Sequence, residues 1–153
     1  MPLTRREMCV LLPTMLAATR GATTIRGATA EKPETADSVL QSAIYDLKNL
    51  PVDENTGVKY APVFEGKTYT GERIRLHETM VAPGKVAHSL GRNMGDEIFL
   101  VWEGVVEVEI EGKVSHLGPG SVAYVAWNAE HAIRNTGKEW ARYFVLLLGS
   151  PLG

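Results

Sequence analysis

In the stretch "VVEVEIEG", Val106, Val108 and Ile110 alternate with Glu107, Glu109 and Glu111. A side-chain period of two fits a strand with one buried and one solvated face, and it fits no helix. From Val58 onward the chain keeps to this regime, with short runs of β-branched and aromatic residues separated by Gly-containing turns. "EIFLVW", Glu97 to Trp102, is apolar without alternation, which predicts a central strand covered on both faces. "WEGVVE" and "IEGKVS" each centre on Glu-Gly and predict tight hairpins. "HLGPGSVAYVA" repeats strand, turn and strand around Gly118 to Gly120, and "RYFVLLLG" predicts a closing strand. No long helical periodicity follows Val58, so the predicted class is all-β, a sandwich or barrel of short strands.

A chain of 153 residues holds one such domain. Residues 1–30 read as a twin-arginine export signal: Arg5 and Arg6, an apolar run from Met8 to Ala18, then the small-residue site "ATA" at Ala28 to Ala30. The expected location is therefore periplasmic or secreted, and the mature chain has no membrane partner because the apolar run is cleaved away and too short to span a bilayer securely. Residues 31–57 read as a linker and N-terminal arm, in which "EKPETAD" is linker-like, "SVLQSAIYDLKNLPV" predicts a helical turn and a strand, and "DENTG" predicts a turn. Residues 58–150 form the predicted barrel. Sixteen Lys and Arg stand against 18 Asp and Glu, a net charge of -2 without long runs of one sign, so no nucleic-acid partner is expected. The one cysteine, Cys9, lies in the signal, which removes disulfides, thiol nucleophiles and thiolate metal sites from consideration. No G-x-S-x-G, phosphate loop or H-E-x-x-H occurs.

"GSVAYVAWNAEHAIRN" resembles the second motif of the cupins, with Gly120, His131 and Asn135 in place and with Ala126 and Asn128 where Pro and Gly are usual. Glu97 followed by Gly104 fits the end of the first motif. The chain from about Ile74 to Gly149 is similar to a cupin subgroup common among exported bacterial proteins. The resemblance implies a jelly-roll β-barrel (a double-stranded β-helix) with a short N-terminal arm, and it implies a homodimer, for which the apolar "SAIYDLKNLPV" offers a surface.

The family's H-x-H pair falls on Gly91 and Asn93, so its two imidazoles are missing. The candidate metal set is His88, Glu97 and His131, with Asn93 as a weak neutral donor; "SLGRNMG" between His88 and Glu97 has turn-like composition, and His88 reaches the cavity only if that turn folds inward. Since a divalent ion needs at least three convergent donors, the expectation is no metal or a weakly bound one. The resemblance turns the His77 face of "RIRLHETMV" inward, where His77 and Thr79 oppose Leu76 and Glu78, so His77 and Glu97 are the catalytic candidates. His77, Asn93, Glu97, Tyr124, Trp127 and Arg134 are the binding candidates, with Tyr124, Trp127 and Trp102 as an aromatic wall and Arg92 or Arg134 as a partner for Glu97. Without such a partner, or His131, burial is expected to raise the pKa of Glu97. The function expected is binding of a small-molecule ligand in a polar cavity with a depleted metal site. The alternative is a metal-dependent oxygenase or isomerase using Glu97, His131 and His88 or Asn93.

Overall fold

The computed structural model describes residues 37–149, so the segment expected to direct export, the first part of the expected linker and position 150 of the expected barrel lie outside the described residues. Ten strands follow one another: β1 (Asp53–Asn55), β2 (Val58–Lys67), β3 (Arg73–Val81), β4 (Val86–Arg92), β5 (Asp96–Glu103), β6 (Val106–Ile110), β7 (Lys113–Leu117), β8 (Val122–Val125), β9 (Glu130–Arg134) and β10 (Ala141–Leu148). They form a six-stranded sheet in the order β1-β2-β3-β10-β5-β8 and a four-stranded sheet in the order β4-β9-β6-β7, with every paired strand antiparallel. This is a jelly roll, and the sheets close over a shared core of Val81, Phe99, Val101, Val108, Ile133 and Val145. The alternation of β6 is realised in direction, with Val106 and Val108 in the core and Glu107 on the opposite face, but that face is not fully solvated, because Glu107 is itself buried beside Arg134 and His116.

Four local expectations are corrected. β5 is covered on one face only: Glu97, Phe99 and Val101 are buried, whereas Leu100 and Trp102 on the opposite face are exposed. An apolar residue at every position thus reflects an uncovered apolar sheet face rather than a second core. "IEGKVS" is a two-residue hairpin, Ile110 pairing with Lys113 across Glu111 and Gly112, both at positive φ as the turn's twist demands. "WEGVVE", by contrast, is a corner that carries the chain from β5 in one sheet to β6 in the other. Gly104 there has φ of 71°, and a Cβ on it would stand 2.5 Å from the Trp140 carbonyl oxygen, so only glycine lets the two segments meet. "DENTG" is half strand, because Asp53–Asn55 pairs with β2 and only Thr56 and Gly57 turn. "SLGRNMG" is mostly strand as well: residues through Arg92 belong to β4, whose pairing with β9 slips twice, on either side of His88.

The N-terminal arm meets the sheet at a parallel bridge between Val39 and Lys67, with backbone hydrogen bonds of 2.8 Å from Lys67 to Ser38 and 2.9 Å from Leu40 to Lys67. Tyr45 then packs on Phe64, and the expected helical turn is a 3-10 turn at Leu47–Asn49, capped by the Asp46 side chain. The expected strand in this segment does not form beyond that single bridge.

Candidate functional site

Register fixes which side chains share the barrel interior, because directly paired residues of an antiparallel sheet project from the same face. One row crosses the six-stranded sheet through Arg75, Leu147, Glu97 and Val125; the next runs through His77, Val145 and Phe99; a third through Tyr60, Thr79, Tyr143 and Val101. Leu147, Val145, Phe99 and Val101 are buried core residues, so their row-mates point inward too. From the four-stranded sheet, β9 contributes His131 and Ile133.

His131 is fully buried, and its Nδ1 donates to the Ala129 carbonyl at 3.1 Å while its Nε2 faces Glu97 Oε2 at 3.6 Å. Both nitrogens therefore look at acceptors, and only the imidazolium, a donor at both, suits them together. At 3.6 Å the Glu97 contact is an ion pair rather than a hydrogen bond. The facing carboxylate raises the pKa of His131 against the opposing effect of burial. Burial pushes the Glu97 carboxyl up, but His131 and the donating Asn93 amide outweigh it, with the nearby His88 adding to them, and hold it below its ordinary value. The condition attached to a raised Glu97 is thus met by His131, and neither arginine takes part. Arg92 instead donates to the Asn128 carbonyl and lies near Glu111 and Glu130.

His88 stacks on His131, with ring centroids 4.6 Å apart and an interplanar angle of 12°. Gly91 pairs directly with His131, and a Cβ on it would touch His88 Cε1 at 3.6 Å, so the His88 ring lies against the place where a side chain at 91 would begin. Imidazole lone pairs lie in the ring plane. Two rings stacked with centroids only 4.6 Å apart do not aim their in-plane nitrogens at a common point within the roughly 2.0–2.1 Å that a metal bond requires. Among the described residues no group of three or more His, Cys, Asp or Glu is arranged to hold an ion. As arranged, His88, Glu97 and His131 do not fit a divalent ion with three protein ligands, although His88 Nδ1 and His131 Nε2 are buried without a hydrogen-bond partner.

On the opposite wall His77 packs against Tyr60, ring centroids 4.6 Å apart. Burial, then the positive charge of Arg75, depresses its pKa to about 4 despite the opposing pull of Glu97, so the ring is neutral at physiological pH. Its Nδ1 is buried without a partner, as is Nε of Arg75. Burial likewise pushes the Tyr143 hydroxyl up, offset in part by its hydrogen bond to Thr79. Tyr60, Arg75 and Tyr143 were not among the sequence candidates, yet two of them were readable: Arg75 shares the parity of His77 in "RIRLHETMV", and Tyr143 alternates with Val145 and Leu147.

Four candidates lie elsewhere. Tyr124 and Trp127 are 58% and 45% exposed, and both bond Asp96 on the outer surface, the Tyr124 hydroxyl at 2.9 Å and the Trp127 backbone at 2.8 Å. Since Val125 points inward, period two sends Tyr124 outward. Trp102 is also outward, edge-on to Phe144. Arg134 alternates with the inward Ile133 and pairs with Glu107 on the outer face of the four-stranded sheet, where His116 Nε2 lies 3.3 Å from the same carboxylate. Arg134 and Glu107 line an outer groove of about 280 Å³ with Val86, Leu90, Glu109 and Ala132. Asn135 is structural: buried, it donates to the carbonyls of Val81 and Glu139 and accepts from the Gly137 backbone, each at 2.8 Å.

A two-sheet jelly roll whose second-motif histidine and first-motif glutamate meet inside the barrel defines the class of protein. The model of the cupin domain family matches residues 77–147, and the chain belongs to the cupin superfamily. Its fold is shared with KdgF from a Halomonas species (18% identity, TM-score 0.61, covering 71% of this chain and 94% of that one). It is shared also with TT1209 from Thermus thermophilus (26%, 0.60, 71% and 98%) and with the polyketide cyclase RemF from Streptomyces resistomycificus (13%, 0.59, 74% and 83%). No curated protein matches the sequence.

Proposed function

We propose that this cupin binds a small-molecule ligand in its polar interior without depending on a tightly held metal. The observation that carries this reading is the stacking of His88 on His131, which leaves the donors divergent while Glu97 is already engaged by Asn93 and His131. Across from them the neutral His77 and the hydroxyls of Tyr60 and Tyr143 supply uncharged hydrogen-bonding groups suited to an organic ligand. The test is elemental analysis of the purified mature protein after chelator dialysis, together with its melting temperature before and after. Substoichiometric metal and an unchanged melting temperature support the reading; near-stoichiometric metal that survives dialysis sinks it.

A metal-dependent oxygenase or isomerase is the second reading, favoured by the two buried imidazole nitrogens, His88 Nδ1 and His131 Nε2, that have no hydrogen-bond partner. It requires the His88 ring to leave its stack. Growth with added divalent metals, followed by the same metal analysis, separates the two readings.

We also propose that the protein is exported after cleavage near Ala30 and works as a homodimer. The surface that supports association is the outer face of β10, β5 and β8, where Phe144 pairs with Leu100, Leu100 with Val122, and Ile98 with Tyr124. Trp102 and Val122 on this face are each 58% exposed, and Ile44 of the arm is 89% exposed. Arg142 at the edge of this face is already engaged by Glu78 and Glu103, and the exposed Trp102 and Val122 leave an apolar patch that suits a copy of itself better than a charged partner.

A further inference from the structure

The interior row that carries Glu97 has an opposite pole. Arg75 lies in the same row, two strands away across Leu147, so that with neighbouring strands about 4.7–4.9 Å apart the two backbones stand roughly 10 Å from each other. Between them runs the apolar side chain of Leu147, which is 6% exposed. The two charges differ in how they are satisfied. Glu97 is held by Asn93 and His131. Arg75 stands directly opposite Glu65 of β2 in the ladder, but no ion pair forms between them or with any other carboxylate of the described residues, and its Nε is buried with no hydrogen-bond partner. Arg73, two residues before it on the same face, has one guanidinium nitrogen on Asp37 at 2.7 Å, while its Nη1 is buried and unpartnered. A guanidinium presents its donors in a planar fork matched to a carboxylate, and a buried donor left unmade is costly.

We propose that the ligand of this barrel is a small organic acid whose carboxylate is anchored by Arg75, with Arg73 beside it at the start of β3. The body of the ligand lies over Leu147 and against Tyr60, and its far end approaches the Glu97, Asn93 and His131 cluster. The neutral state of His77 agrees with this arrangement: the positive charge of Arg75 next to it is one of the causes that keep a proton off the ring, so the positive charge of this wall resides on arginine. This assignment rests on the reading of the barrel as a small-molecule binder and adds the class of molecule.

The experiment uses shape-matched pairs that differ in charge, benzoate against benzamide and succinate against succinamide. Each is titrated into the mature wild-type protein and into the Arg75→Met and Arg75→Lys variants, by calorimetry and by melting temperature, with the ligand-free melting temperature of each variant reporting its folding. The expected result is that at least one acid binds the wild type and raises its melting temperature while its amide does not. Affinity should fall roughly tenfold or more in Arg75→Met and less in Arg75→Lys, because lysine keeps the charge without the fork. Equal binding of acid and amide, or full binding by a folded Arg75→Met, overturns the carboxylate assignment and leaves a neutral small-molecule site in place. Absence of binding by every probe overturns the carboxylate assignment, and a neutral polyol that then binds and is weakened by Glu97→Gln keeps the broader reading alone.

Discussion

His77 offers a quantitative check on the interior. Its folded pKa of about 4, against an ordinary value of 6.5, means that between those values the unfolded chain binds a proton that the folded chain refuses. The unfolded state thus holds more protons in that window, so stability rises with pH through it and is lost as pH falls from 6.5 toward 4. A pKa difference of about 2.5 amounts to roughly 3 kcal/mol in full, and about 2 kcal/mol of it is expressed between about pH 7.5 and about pH 5. His77→Gln removes the titration while keeping a polar side chain. Urea denaturation of both proteins at the two pH values gives four free energies, and the wild type should lose about 2 kcal/mol more than the variant on acidification. Whatever the variant costs through lost packing on Tyr60 applies at both pH values and cancels. His131 contributes with the opposite sign, since its pKa is raised and its stabilisation fades as pH rises through its folded value; Glu97, held below its ordinary value, contributes stability that is lost only as pH falls through its own folded value. Both groups are present in both proteins. Equal pH sensitivity of the two would refute the view that burial and Arg75 hold the ring neutral.

Asn135→Ala leaves two carbonyls and one backbone N–H without their partner in a buried site, and should cost about 2–4 kcal/mol in urea denaturation; a loss under about 1 kcal/mol would show that water replaces the amide. Trp102→Glu places a charge in the outer apolar face and should convert a dimer into a monomer in sedimentation without changing the β-sheet circular dichroism; a variant that stays dimeric moves the interface elsewhere. Mass spectrometry of the exported protein should find an N-terminus near residue 31, and an intact Met1 end in that fraction counts against the export signal.

The fold was legible because its signals are local. The period of two in "VVEVEIEG" and the Glu-Gly turn after it require no knowledge of the partner strand, and the cupin motif positions set the remaining strands in order. Parity reaches further along the same strands. Starting from an inward Glu97, a period of two places Phe99 and Val101 inside and Trp102 outside; starting from His77 it places Arg75 inside. Tyr124, Trp127 and Arg134 are near motif residues in sequence, but in a strand the immediate neighbour of an inward residue points away, as Tyr124 and Arg134 do, and Trp127 lies in the turn between β8 and β9. "WEGVVE" failed for a different reason. A Glu-Gly pair marks a sharp change of direction, while the choice between a hairpin and a sheet-to-sheet corner is made by which strands pair, and β5 takes β10 and β8 instead of β6.

The metal question turns on a feature that no composition reveals. β4 pairs with β9 across some forty residues of intervening chain, and its register slips between Val86 and His88 and again between His88 and Gly91. A bulge shifts the parity of everything beyond it, so no count along "VAHSLGRN" assigns His88 to a face. The slip brings His88 over His131 while Gly91, directly opposite His131, contributes no side chain, and a Cβ there would meet the His88 ring at 3.6 Å, an ordinary contact distance. The imidazole stacked on His131 therefore comes from β4 at position 88, not from the position that faces His131 in the ladder. Asn93, the other position of the missing pair, has already turned to Glu97, and its amide engages the oxygen that a metal would otherwise draw on. In this arrangement Glu97 draws on Asn93 and His131, and His88 would have to leave its stack on His131 before it could turn a nitrogen toward the carboxylate, which is why metal content and the position of the His88 ring have to be read together.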